Sequence, residues 1–283
     1  MPIPPDTVSP KPLVFFPINT GGGARKSGSM ALCYHTLVAM GLDPIVVALD
    51  SNDSFQKLLL GKNFRSEETP HGLDIFTWDL NSGSDAFTYL HPVLEKAELE
   101  NRPVVFDIAA KAGASMGAYT LTETGIFGST TLIGIAPVCP DEKFAAGIIE
   151  ALLDINPDKW IKVLYSGRST RMPQTAIFAT LDELLPIATA VIPELNPTQA
   201  NALVADLPVV MPKLSAFIAT GGFAATKWIF AREYWNKAQA SLHEALLAVP
   251  ELTLMLTQIS NSPATPGQAE AKVSKKKPSE DAA

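Results

Sequence analysis

The sequence predicts an α/β protein with a mainly parallel sheet and helices on both of its faces. Short, nearly continuous apolar runs recur along the chain, among them PLVFF (12–16), PVVFDIA (103–109) and TTLIGIAPV (130–138). Longer stretches with helical spacing separate them, so strand and helix alternate. The apolar runs also lack the polar alternation of a half-solvated sheet, as expected for strands covered on both sides.

In order, the first strand is placed at 12–16, followed by a glycine-rich turn and a helix over 26–41. The second strand is PIVVALD (44–50), and SFQKLLLG (54–61) is a short helix stopped by Gly61. LDIFTWDL (73–80) gives a third strand, and 85–100 a helix with a polar face. After the strands at 103–109 and 130–138 comes DEKFAAGIIEALLDI (141–155), a helix with acidic residues in its first turn, where the helix dipole favours them. WIKVLYS (160–166) and ATAVIPEL (188–195) complete the strands. Residues 198–206 and roughly 213–247 are read as helical. In the last of these, the spacing of Trp228, Ile229, Trp235 and Leu242 marks one helix face, read as core packing with a partner-binding face as the alternative.

The 283 residues, 47% hydrophobic and 18% charged, are enough for a packed core. The expected organisation is an extended proline-rich arm over 1–11, one domain over 12–250 and a disordered tail over 261–283. The tail carries Lys275, Lys276 and Lys277, read as a solvated charge run. A net charge of -7 argues against a basic nucleic-acid clamp, so DNA contact is expected to be weak or indirect. Two cysteines, Cys33 and Cys139, exclude a disulfide scaffold or a cysteine metal cluster and suit a reducing cytoplasm. No apolar run reaches membrane-span length, and the first residues lack a signal-peptide pattern. The histidines are scattered without metal-site spacing, and no serine-hydrolase elbow occurs.

The informative segment is Asn19-Thr20-Gly21-Gly22-Gly23-Ala24-Arg25-Lys26-Ser27, running on to Gly28. It follows the first strand and opens the first helix. Glycines let successive backbone N–H groups face one anion, and the helix N-terminus adds positive potential. A lysine then reaches the outer phosphates, and a serine hydroxyl can ligate Mg²⁺. Gly21, Gly22, Gly23, Ala24, Arg25, Lys26, Ser27 and Gly28 are therefore the candidate phosphate-binding residues. The strict GxxxxGK[ST] pattern would need glycine where Thr20 and Arg25 stand. A plain Gly-rich turn with a helix-capping serine is the alternative.

Aligned on Lys26-Ser27, the segment resembles the deviant Walker A loop, KGGxGK[ST], of ParA/MinD-type ATPases, proteins with a P-loop NTPase fold. Gly22 and Gly23 match its paired glycines, Lys26 its phosphate lysine and Ser27 its magnesium ligand. Gly21 stands in place of the signature lysine, which in the family reaches the partner's nucleotide, and Arg25 in place of the last glycine. VVALDSND resembles the family's second strand. Asp50 matches its first aspartate, Asn52 occupies the place of the water-orienting one, and Asp53 follows one residue later. PVVFDIAAKAGA resembles the strand carrying the Walker B aspartate, which makes Asp107 a magnesium ligand through water; a strand-end carboxylate capping the next loop is the alternative. WIKVLYSGRS takes the place of the strand ending in an adenine-reading asparagine, where Ser166 offers no amide. The stretch DIAAKAGASMGAY is similar to the TraL/StbB-like branch encoded beside plasmid mobilisation genes.

The resemblance implies bound ATP with Mg²⁺, catalytic roles for Lys26, Asp50 and Asp53, and magnesium ligation by Ser27 and Asp107. It implies a cytoplasmic homodimer formed around nucleotide, slow hydrolysis, and a plasmid or conjugation protein as partner. Two other readings share the loop. One is a degenerate, non-hydrolysing scaffold that binds protein partners, and the other a small-molecule kinase or dethiobiotin-synthetase-like enzyme.

Overall fold

The computed structural model describes residues 11–19, 26–49, 55, 59, 74–77, 86–108, 126–165, 174–193 and 225–261. Among the described residues, seven strands form one sheet: β1 (Leu13–Pro17), β2 (Ile45–Leu49), β3 (Ile75–Thr77), β4 (Val104–Ile108), β5 (Thr131–Val138), β6 (Lys159–Tyr165) and β7 (Ala188–Ile192). Their order is β3-β2-β4-β1-β5-β6-β7, and every pairing is parallel. Around the sheet lie α1 (Lys26–Ala39), α2 (Ala86–Glu100), α3 (Glu142–Ile155), α4 (Ala176–Glu183), α5 (Ala225–Leu247) and α6 (Pro250–Asn261).

The chain's path fixes which helix covers which face. A parallel crossover is right-handed, so reversing the direction of travel across the sheet moves the connecting helix to the opposite face. From β1 to β2 the chain travels one way, and α1 lies on the first face with α5 and α6. From β3 to β4, β5 to β6 and β6 to β7 it travels the other way, and α2, α3 and α4 lie on the second. The strand residues divide with period two. Leu13, Phe15, Val105, Ile133 and Ile135 join the core under α1 and α5; Val14, Phe16, Val104, Phe106 and Leu132 join the core under α2 and α3. Every residue of β1 and β4 is buried, which explains their unbroken apolar runs.

The strands expected from sequence appear within one to three residues of their places. The α3 boundaries are also those expected: Asp141 accepts a hydrogen bond from the Lys143 amide at 2.9 Å as N-cap, and Asn156 ends the helix in a left-handed turn. Within the expected helix at 54–61 only Phe55 and Leu59 are described, both helical and buried. The expected helix at 198–206 lies outside the described residues, as do residues 1–10 and 262–283. Two α-helices go beyond the sequence reading. The first, α4, buries only Phe178 and Leu181. The second, α6, buries Leu252 and Met255 against the first core, and Lys159 at the start of β6 pairs with its Glu251. Burial raises the Glu251 carboxyl's pKa, but the hydrogen bond and charge of Lys159 together with a backbone hydrogen bond outweigh it, leaving the group below its ordinary value. On α5, Trp235 and Leu242 are buried as core residues; the expectation for Trp228 and Ile229 falls outside the described side chains.

Two packing details set up the site. Gly134 of β5 lies beside Phe16 of β1 and Trp160 of β6, and a Cβ there would stand 2.7 Å from Ile18 Cγ1 and 3.1 Å from Trp160 Cβ. The missing side chain lets the end of β1 lie close over β5, where the Ile18 amide donates to the Ile135 carbonyl at 2.9 Å. At the opposite, amino end of the sheet, Arg102 ties three strands together. Its Nη1 lies 2.6 Å from Asp74, its Nη2 3.1 Å from Asp43, and its Nε donates to the Asp43 carbonyl at 2.8 Å. Hydrogen bonds from Lys96 and Arg102 hold the Asp74 carboxyl below its ordinary pKa against a smaller burial effect.

His35 of α1 packs its ring edge-on against Trp235 of α5 and against Tyr34, with its Nε2 buried and without a hydrogen-bond partner. Burial pushes its pKa down to about 4.

Two outcomes follow from these contacts. Gly134→Ala should cost about 1–3 kcal/mol of stability by overpacking, read as a lowered midpoint in thermal unfolding; an unchanged midpoint would show that Ile18 yields freely. The unfolded chain binds a proton at His35 more readily than the folded one does. Stability from this site is therefore whole above about pH 6.5 and lost as pH falls toward 4, by about 3 kcal/mol at most. Denaturant titrations at pH 7 and pH 4.5 should show a smaller pH effect in His35→Phe than in the wild type.

Candidate nucleotide-binding site

In an open parallel sheet, ligands bind beyond the carboxyl ends of the strands, where the chain reverses its direction of travel. Here that place is the end of β1, between β4 and β5. The first turn of α1 sits over it, and three of its residues reach polar groups at or beyond the ends of three strands. Lys26 Nζ donates to the carbonyl of Asn19, two residues past β1, at 3.1 Å. Ser27 Oγ donates to Asp107 Oδ2 of β4 at 2.9 Å. Ser29 Oγ and the Tyr165 hydroxyl at the end of β6 share a hydrogen bond of 2.8 Å, in which either can donate.

Local sequence explains the arrangement. Asp107 alternates with Phe106 and Ile108 of the second core, so its side chain points with Val105 toward α1. Glycine at 28 and the short Ser29 and Ala31 let the start of α1 lie close against the sheet, where Gly28, Ser29, Met30 and Ala31 are all buried. Asn19 is itself buried, and its Nδ2 donates to the Phe144 carbonyl in the first turn of α3 at 3.3 Å. The start of the loop is thereby fixed to the helix that follows β5.

The electrostatics are those of a buried ammonium beside a buried carboxylate. Lys26 is 6% exposed and Asp107 1%. Burial pulls the Lys26 pKa below the usual lysine value, while the neighbouring Asp107 carboxylate opposes that by favouring the charged form. Among the described residues the Lys26 ammonium meets one carbonyl beside a carboxylate, an arrangement that an incoming anion would complement.

Of the residues singled out from sequence, Lys26, Ser27, Gly28 and Asp107 are brought to one place. Gly21, Gly22, Gly23, Ala24, Arg25, Asp50 and Asp53 lie outside the described residues. Sequence reasoning passed over Asn19, Ser29 and Tyr165 as site-supporting groups. A signal existed for Ser29, which falls in the same helical turn as the Lys-Ser pair. None existed for Tyr165, whose relation to α1 needs the sheet order. Cys33 and Cys139 are buried, and burial pushes the Cys33 thiol up, so it behaves as a small apolar group.

The oxygens present suit Mg²⁺. Ser27 Oγ and the Asp107 carboxylate are hard donors close enough to share an ion, and Mg²⁺ commonly takes one or two protein oxygens with phosphate oxygens and water completing its shell. No group of three or more His, Cys, Asp or Glu that could hold a metal occurs among the described residues.

A parallel seven-stranded sheet, a glycine-rich connection after its central strand and a Ser–Asp pair joining α1 to β4 define an α/β fold of the P-loop NTPase type. No protein-family model and no curated protein sequence matches the chain. Among solved structures it is similar to the MinC:MinD cell division complex of Aquifex aeolicus, at 12% identity over 79% of this chain and 96% of that one, with a TM-score of 0.47. It is similar to FtsY of Mycoplasma mycoides at 13% identity over 77% and 71%, TM-score 0.42. A Borrelia burgdorferi protein described as a plasmid partition protein, bound to AMPPNP, matches at 15% identity over 84% and 99%, TM-score 0.42. No helix among the described residues is long and apolar enough to cross a membrane.

The buried ammonium generates a prediction that separates stability from function. Because the unfolded chain holds the Lys26 proton more tightly, this residue's contribution to stability rises with pH between its folded and unfolded pKa values. At neutral pH it opposes folding. Ligand-free Lys26→Met should therefore resist denaturant at least as well as the wild type; a clearly lower midpoint would mean that the bond to Asn19 outweighs the burial cost.

Proposed function

We propose that this protein is a ParA/MinD-like nucleotide-binding protein, a slow ATPase whose ATP-dependent dimerisation serves plasmid partition, stability or conjugative mobilisation. The observation that carries the reading is the Ser27–Asp107 hydrogen bond beside a buried Lys26 at the end of the central strand. A structural capping serine needs no buried carboxylate 80 positions away, and a structural lysine would not be held where water is scarce.

In this reading the amides of Gly21 to Arg25 cradle the phosphates, and Lys26 turns from the Asn19 carbonyl to the outer phosphate oxygens. Ser27 and Asp107 hold Mg²⁺, whose part when bound is to neutralise charge on the phosphate oxygens. The rate gain comes from positioning and charge stabilisation rather than covalent chemistry. Asp50 or Asp53 orients the attacking water, and with Asn52 at the family's aspartate position turnover is slow. The location is cytoplasmic, and the partner is a second copy together with a plasmid or conjugation protein. The same departures at Gly21, Arg25 and Asn52 favour a second reading, a scaffold that keeps the fold and has lost hydrolysis.

Titration calorimetry with ATP, ADP and GTP in the presence of Mg²⁺ tests the site. Wild type should bind a triphosphate, and Lys26→Ala should bind it at least about tenfold more weakly, the scale of one lost charge-assisted hydrogen bond. Equal affinity in the two proteins would remove the loop assignment. Phosphate release above the Lys26→Ala background would exclude the scaffold reading, and a nucleotide-dependent rise in mass by light scattering would establish the dimer.

A further inference from the structure

The amino end of the sheet, opposite the nucleotide site, carries a cleft of about 410 Å³ between the loops that lead into β6 and β7. The buried Trp160 lines it and ties the two loops together. Its Nε1 donates to the Leu184 carbonyl at 3.1 Å, and its own carbonyl accepts from the Ile187 amide at 2.9 Å, so the cleft is preformed. Leu153 of α3, 68% exposed, Leu185, 79% exposed, and the exposed Ile187 line it as well. Single exposed leucines are ordinary, but three large apolar side chains around one cleft mark a contact surface. Leu185 is also held at a φ of 47°, just past the end of α4, in the left-handed position that glycine usually takes. A leucine there strains the backbone while its side chain stays largely in solvent, so the fold itself gains little from it.

The charge at this end has one sign. Helices α3 and α4 run antiparallel to the strands they connect, so both end here, and a helix carboxyl end favours cations. Neither has a basic residue in its last turn. Asp154 stands in the last turn of α3, Asp182 and Glu183 in that of α4, and Asp158 lines the cleft while accepting from the Leu132 amide. The nearby Lys159 pairs with Glu251, and Lys162 with Asp182. Among the described residues no cation pairs with Asp154, Asp158 or Glu183. We infer that the cleft is a docking site for a basic amphipathic segment of a partner protein. Apolar side chains of that segment enter between Leu153, Leu185 and Trp160, and its flanking lysines or arginines face the three carboxylates. Apolar residues that stand in solvent at the rim are covered by a peptide laid across them, not by a small molecule within. The site lies at the other end of the sheet from Lys26 and does not rest on the nucleotide reading.

Fluorescence anisotropy on the full chain, with a labelled peptide of leucine and lysine at helical spacing, tests the surface. That peptide should bind. Peptides of the same length with glutamate for lysine, or with serine for leucine, should bind at least about tenfold more weakly. Leu185→Gly should weaken the first peptide about tenfold and leave the thermal midpoint no lower than that of the wild type, because glycine relieves the backbone. Asp154→Asn combined with Glu183→Gln should weaken it to a similar degree. Lost affinity with retained stability is the mark of a contact residue. If Leu185→Gly is destabilised or does not fold, Leu153→Ser, at an exposed helix position, gives the deciding comparison. Affinity unchanged in these variants overturns the docking site, as does absence of binding by the wild type. Binding that appears only once Lys275, Lys276 and Lys277 are replaced by glutamine assigns the cleft to the chain's own tail and overturns the partner. A dimer of the ligand-free protein that Leu185→Gly converts to monomer assigns it to a second copy, with the same consequence.

Discussion

The fixed hand of the parallel crossover is the constraint on which the remaining structure depends. The chain enters the sheet at its centre, in β1, and crosses first one way to β2 and later the other way to β6 and β7. Because each crossover turns in the same sense, α1 is forced to one face and α2, α3 and α4 to the other. A crevice results at the carboxyl end of β1, where the helices on either side diverge. In sequence the glycine-rich segment directly follows β1. The Arg102 ion cluster at the amino ends of β2, β3 and β4 belongs to the same architecture, holding together the half of the sheet that ends in the short edge strand β3.

Stability and binding pull in opposite directions at α1. Most of the helix is buried beneath α5, where apolar residues such as Met30, Leu32 and Leu37 belong. Its first turn instead buries an ammonium and Ser29, and its third turn buries another polar side chain, Thr36. The serine and threonine are satisfied, by Tyr165 and by the Leu32 carbonyl one turn back. Among the described residues Lys26 meets one carbonyl, that of Asn19, beside the Asp107 carboxylate.

Much of this was legible in the chain itself. The strands declared themselves because residues buried on both faces leave no room for polar alternation, as in β1 and β4. Lys26 and Ser27 could be singled out because the proposed phosphate loop is a local device, in which glycines, lysine and serine must be neighbours in sequence. Asp107 was legible as a carboxylate at the end of an otherwise apolar strand. Helix α4 was not, since eight residues burying two side chains carry little periodicity. Helix α6 was passed over because it follows α5 closely and buries only Leu252 and Met255, so its apolar stripe is too thin to stand out from a polar surround.

The amino-acid sequence by itself determined the α/β class, the order of the strands along the chain and the residue types of the loop, because each depends on residues within one strand or one turn of each other. The tertiary structure alone decided which strands are neighbours, and hence that Ser27 meets Asp107 and Ser29 meets Tyr165, 136 positions away. It also decided that Gly134 must lack a side chain, since the atoms that would collide with one belong to Ile18 and Trp160 on either side. Such pairings arise from strand order and crossover hand. These are properties of the whole sheet, and no short stretch of chain carries them.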